Sequence, residues 1–126
     1  SHLVLSVSAG KDVAAIARAL APEADEITLT RAEPIRSLET SALATAIRAA
    51  APRVRPREEP DPERALRAAC AGLGSRDLLC ASGSVYLAGI ARRVLREHTA
   101  LGPDVAQRAS ARVIETETPG PARLTK

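Results

Sequence analysis

Four short apolar runs, each followed by a longer stretch with helical spacing, constrain this chain more than any other feature. The runs are Leu3–Val7, Glu26–Thr30, the weaker Arg53–Arg57 and Asp77–Ala81. Val13, Ile16, Ala17 and Leu20 recur at helical spacing within 11–21, and Leu43, Ile47 and Ala50 do so within 38–51. Asp61-Pro62-Glu63 reads as a helix start, with Asp as N-cap, Pro at the first helical position and Glu in the first turn. Leu66, Ala69, Cys70 and Leu73 follow it, and Gly72 and Gly74 end the helix. Ser82-Gly83-Ser84 reads as a turn into a last clear helix, Val85–Glu97. Strands alternating with helices in this way predict an α/β fold, a Rossmann-like and mostly parallel sheet with helices on both faces. Only Val54 is apolar in the third run, and Pro56 lacks an N–H, so that run is expected at an edge. Asp77–Ala81 is expected to be buried on both faces.

Beyond residue 97 the pattern weakens. A short helix is expected over 104–114, with Pro103 at its start, and a frayed tail over 116–126. The chain therefore divides into an α/β domain, 1–97, and an extension, 98–126.

Composition narrows the function classes. The 126 residues are one domain's worth, and 45% are hydrophobic. Tyr86 is the only aromatic residue, so Leu, Val, Ile and Ala must build the core. Sixteen of the eighteen basic residues are Arg, yet the net charge is only +3 and the arginines are scattered among acids. That balance does not argue for nucleic acid, and stacking on single strands needs aromatic platforms the chain lacks. No apolar run approaches the ~18–20 residues of a membrane span. Cys70 and Cys80 are too few for a disulfide framework or a metal knuckle, and read as buried, reduced thiols of a cytoplasmic protein. His2 and His98 have no carboxylates at ligand spacing, so no metal site is expected from them. The chain contains no Met, and Ser1-His2 reads as the scar of a cleaved tag.

Parallel α/β sheets place ligands at the C-terminal ends of their strands. Three strand-end loops carry distinctive residues. Gly10-Lys11-Asp12 opens a helix, where backbone N–H groups and a Lys suit an anion; a plain strand-to-helix turn is the alternative. The spaced glycines and Lys-Ser/Thr pair of a phosphate loop are missing. Ser82-Gly83-Ser84-Val85-Tyr86 presents two hydroxyls for a carboxylate or phosphate oxygen, or Ser84 simply caps its helix. A nucleophilic serine is disfavoured, since Gly-x-Ser-x-Gly and a His–Asp pair are both absent. In the loop from Thr30 to Arg36, Arg36 is either a bidentate anion ligand or a solvated arginine. Tyr86 reads as a packing residue with a wet hydroxyl.

The order of these pieces resembles the C-terminal domain of bacterial folylpolyglutamate synthase/dihydrofolate synthase, in the Mur ligase superfamily. The resemblance spans about residues 3 to 95, and Gly83-Ser84-Val85-Tyr86-Leu87-Ala88-Gly89 is its most specific part. It implies ATP-dependent amide formation, in which glutamate attacks an acyl phosphate made on a folate-type carboxylate. It implies that Lys11 and Ser84, with Ser82 as a substitute, hold glutamate carboxylates, and that Asp12 and Arg36 contact nucleotide or another anion. It implies no catalytic residue on this chain. ATP and Mg belong to the full-length enzymes and are not expected on this chain alone. The implied partners are an ATPase domain, in the same or a separate chain, and L-glutamate.

Three departures stand out. Gly10 occupies the usually acidic position before the Lys, and Ile35 precedes Arg36 where the family has Pro-Arg. The Asp-Gly-Ala-His-Asn-Pro motif that ends the family domain's first strand does not occur, so that strand is expected to be missing. Two readings follow: a ligase domain inactive alone, or a free-standing binding module whose open sheet edge pairs copies into a homodimer. A receiver- or flavodoxin-type switch ranks below both, for want of an acidic cluster or a phosphate loop.

Overall fold

Each apolar run becomes a strand, and the strands lie parallel in one sheet. The computed structural model describes residues 1–74, 77–99 and 110–113. In chain order the elements are β1 His2–Leu5, α1 Val13–Leu20, β2 Glu26–Leu29, α2 Thr40–Ala50, β3 Arg57–Glu58, α3 Pro62–Ala71, β4 Leu78–Ser82, α4 Val85–Thr99 and β5 Ser110–Val113. A single 3-10 turn, Ala21–Glu23, closes α1 where Pro22 forbids its continuation. The sheet order is β3-β2-β1-β4-β5. The chain winds outward from β1 through β2 to β3, then crosses back to lay β4 on the other side of β1.

Strand parity splits the core into two layers. Leu3 and Leu5 of β1 join Ile27 and Leu29 of β2 under Ile16 and Ala17 of α1 and Leu43, Ala44 and Ile47 of α2. Val4 faces the other way, with Leu79 and Ala81 of β4, under Leu66, Ala69 and Cys70 of α3 and Leu87, Ala91 and Val94 of α4. Helices thus cover both faces, as the alternating pattern requires. The helix caps follow the sequence: Asp61 Oδ1 accepts from the N–H groups of Glu63 (3.0 Å) and Arg64 (3.1 Å). Such a cap is worth about 1 kcal/mol.

Several boundaries differ from the sequence expectation. α2 begins at Thr40 rather than Leu38, because the Leu38 N–H donates to Val7 O (2.8 Å) and stays with β1. β3 is only two residues long, starting after Pro56, and is an edge strand as expected. Its shortness, its charge and the missing Pro56 donor are the devices that blunt natural sheet edges. Ser82 ends β4 instead of opening the turn, and its Cα pairs in register with Leu5. Cys70 is buried, and burial pushes its thiol pKa up, but Cys80 is half-buried. Cys80 points to the α1–α2 face from β4, on the far side of β1 from β2. Within the expected helix 104–114, residues 110–113 instead form β5, paired in register with β4 from Leu78 to Ala81. A strand there satisfies the backbone groups of β4 that would otherwise face outward, which a helix cannot do. The rest of the expected helix and the tail lie outside the described residues. Among those described, no helix is long and apolar enough to cross a membrane.

Two glycines have positive φ, Gly10 (+91°) and Gly83 (+95°). A Cβ on Gly83 would sit 2.3 Å from Ser6 O and 2.9 Å from Leu5 Cδ1, whereas one on Gly10 meets nothing within 4 Å. Gly83→Ala therefore forces β1 and β4 apart and is expected to cost about 3 kcal/mol or more. Gly10→Ala carries only the left-handed backbone penalty, about 1 kcal/mol. Urea denaturation of the two variants beside the parent chain measures both.

Candidate functional site

The winding reverses between β1 and β4, and a crevice opens outside the C-terminal ends of strands at such a reversal. Here the crevice is a cleft of about 710 Å³, lined by Ser8, Ala9, Lys11, Glu33, Ile35, Arg36, Gly83, Ser84, Val85 and Tyr86. That volume lies within the ~300–1,000 Å³ typical of small-molecule sites. The three loops singled out in the sequence, after β1, β2 and β4, supply all of its wall.

Hydrogen bonds hold the first two loops together. The Ala9 N–H donates to Arg36 O (2.6 Å), which brings the backbones carrying Lys11 and Arg36 side by side. Ser8 and Ser37 form an isolated antiparallel bridge. Buried Ser6 Oγ accepts from the Ala32 N–H (2.9 Å) and lies 3.3 Å from buried Ser37 Oγ. Ser37 Oγ in turn accepts from the Glu33 N–H (2.9 Å). Arg31 straps the loop from inside, its Nη2 donating to Pro34 O (2.5 Å) and Ser37 O (3.3 Å) while Nη1 pairs with Glu39 (3.4 Å).

The expected site residues separate into two groups. Lys11, Arg36 and Ser84 line the cleft. Ser84 also caps α4, its Oγ accepting from the N–H groups of Tyr86 (3.2 Å) and Leu87 (3.4 Å). As an acceptor in the cap, its hydroxyl keeps a proton to donate into the cleft. The two readings of Ser84 are thus compatible. Asp12 and Ser82 are not in the lining. Asp12 caps α1, its Oδ1 accepting from the Ala15 N–H (3.1 Å). Ser82 is 1% exposed beneath the loop. The sequence reading did not single out Glu33, Ser8, Ile35 or Val85, which complete the wall. Ile35, Val85 and Tyr86 are 93%, 61% and 57% exposed. They are the large exposed apolar residues among those described, and all three sit on this cleft. Tyr86 is thus a wall residue rather than a packing residue.

Chemically, the described lining offers one ammonium, one guanidinium and the hydroxyls of Ser84 and Tyr86 for anionic groups, beside one carboxylate that takes the Ser8 hydroxyl. Among the described residues its lining has no histidine, so Ser84 has no imidazole to activate it there. No group of three His, Cys, Asp or Glu among the described residues could hold a metal ion.

Comparison with known proteins places the chain in a family. The profile of the family described as "Mur ligase, glutamate ligase domain" matches residues 2–85. The chain belongs to that family. The match takes in Lys11, Asp12, Arg36, Ser82 and Ser84, and every wall residue but Tyr86. Two solved structures of Mycobacterium tuberculosis folylpolyglutamate synthase are similar to this Mur ligase domain. One, complexed with ADP, is 28% identical with a TM-score of 0.47; the other, from work with ADP and AMPPCP, is 27% identical with a TM-score of 0.49. Each match covers 90% of this chain and 20% of that one, so the domain spans about a fifth of their length. No curated protein sequence matches it.

The loop network makes Ser37 an anchor of the Mur ligase domain's cleft. Ser37→Ala removes the acceptor of the part-buried Glu33 N–H, and is expected to cost about 1 kcal/mol. Denaturation gives that cost, and amide hydrogen exchange shows loss of protection at Glu33.

Proposed function

We propose that this domain holds the incoming L-glutamate of an ATP-dependent amide ligase that extends a folate-type carboxylate, and that it works with a separate ATPase domain. The observation that carries this reading is the meeting of Lys11, Arg36 and Ser84 in one cleft at the winding reversal of a glutamate ligase domain. Lys11 takes one carboxylate of glutamate as a point charge. Ser84 donates its hydroxyl to the same group. Arg36 takes a second carboxylate through its planar fork. Asp12 and Ser82 act indirectly: Asp12 fixes the start of α1 just after Lys11, and Ser82 sets the base on which Gly83 and Ser84 turn.

The sequence has no phosphate loop to cradle a nucleotide. In this reading the ATPase domain carries the nucleotide and Mg, and closes over the cleft. The chain alone binds glutamate without turnover.

Binding in so open a cleft is expected to be weak, in the millimolar range, because both cations face water. Titration of the chain with L-glutamate, followed by NMR chemical shifts, should move the amides of 8–11 and 83–86. Lys11→Ala removes a charge-assisted contact and should weaken binding about tenfold. Glutamate binding that survives Lys11→Ala unchanged removes the site assignment.

A further inference from the structure

Among the described residues, Glu33 is the one carboxylate in a cleft whose other charged groups are cations, and it is held in place from two sides. Its backbone N–H donates to buried Ser37 Oγ (2.9 Å), and its Oε2 accepts from the Ser8 hydroxyl (3.2 Å). Residues on either side are fixed too, Ala32 by Ser6 Oγ and Pro34 by Arg31. The carboxylate is thus preorganised on a rigid loop. Neither Lys11 nor Arg36 neutralises it, since no ion pair of Glu33 occurs among the described residues, and Ser8 is the side-chain partner of its Oε2. A site for a simple dicarboxylate would gain nothing from a negative charge placed beside it; like charges a few ångströms apart repel. The charge pattern is two cations and one anion, which is the mirror of an α-amino dicarboxylate.

We propose that Glu33 receives the amino group of the bound amino acid through its free Oε1, and so makes the cleft select an α-amino dicarboxylate over a plain dicarboxylate. The inference rests on the glutamate reading above and adds the determinant of substrate class. Ser8 acts behind it as a positioning residue, occupying Oε2 so that the carboxylate presents one oxygen to the ligand. With both carboxylates held by Lys11 and Arg36, an ammonium bonded to Glu33 has a fixed direction.

The experiment uses the 126-residue chain and two probes, L-glutamate and glutarate, which differ by the amino group alone. Dissociation constants come from NMR titrations of the parent chain, Glu33→Gln and Lys11→Ala. The parent chain should bind glutamate about tenfold more tightly than glutarate. Glu33→Gln keeps an oxygen for the Ser8 hydroxyl and should fold with an unchanged midpoint. It should weaken glutamate, tighten glutarate severalfold, and bring the ratio near one. Lys11→Ala should weaken both ligands and leave the ratio alone. A preference for glutamate that persists in Glu33→Gln overturns the role of Glu33 while leaving the Lys11 site intact. Equal binding of the two probes by the parent chain overturns it as well. Insensitivity of both ligands to Lys11→Ala overturns the glutamate site and the Glu33 inference together.

Discussion

Ser6 is the point on which the three loops converge. Its carbonyl oxygen sits where a Cβ of residue 83 would be, at 2.3 Å, so only glycine lets the β4 loop close against β1. Its side-chain oxygen accepts from Ala32 and lies against Ser37, so the β2 loop is fastened to the same residue. A fully buried serine one position past β1 therefore ties together segments that are far apart in sequence. A buried hydroxyl in such a place is costly unless its partners are present. The cleft exists because these bonds pull the loops after β1, β2 and β4 to one point without filling the space between them.

The topology prepares that point. Winding outward to β3 and back to β4 leaves the ends of β1 and β4 adjacent, with helices of opposite layers starting there. α1 begins just after Lys11 on one face, and α4 just after Ser84 on the other. The loops diverge as they enter the two layers, and the crevice is the gap left by the divergence. Caps at Asp12 and Ser84 fix where each helix begins, so the directions of Lys11 and of the Ser84 hydroxyl follow from helix starts rather than from the ligand.

Most of the fold was legible in the sequence, for a physical reason. Burial on both faces gives a parallel strand a continuous apolar run, and a covering helix an apolar stripe, so Leu3–Val7 and Val13–Leu20 declare themselves. Edges declare themselves poorly: β3 has one apolar neighbour, Val54, and β5 was read as helix because its ladder with β4, not its own pattern, decides its state. The three site loops were legible because strand ends are where ligands bind, and Lys11, Arg36 and Ser84 are the side chains there with anion chemistry. Glu33 was not singled out, because its place in the cleft depends on a bond to Ser8 across 25 residues, which no local pattern encodes. Ser82 shows the opposite limit. Its hydroxyl was read as a substitute for that of Ser84, but β4 runs one residue further than the sequence pattern suggests and keeps Ser82 buried in register with Leu5, while Ser84 lies past the strand.

The exposure of the cleft sets its strength. Two cations beside a solvent-filled gap of about 710 Å³ act in a high dielectric, where a charge pair at contact is worth about 1 kcal/mol. The same groups grow several times stronger when water is excluded. Ile35, Val85 and Tyr86 give the cleft an apolar rim. A rim of that kind is the complement of a dry cover, not of a small polar amino acid. On the proposed reading, weak recognition in the open domain and strong recognition under a cover come from one set of residues: the cations hold the ligand's carboxylates, and the rim meets the ATPase domain proposed to close over them.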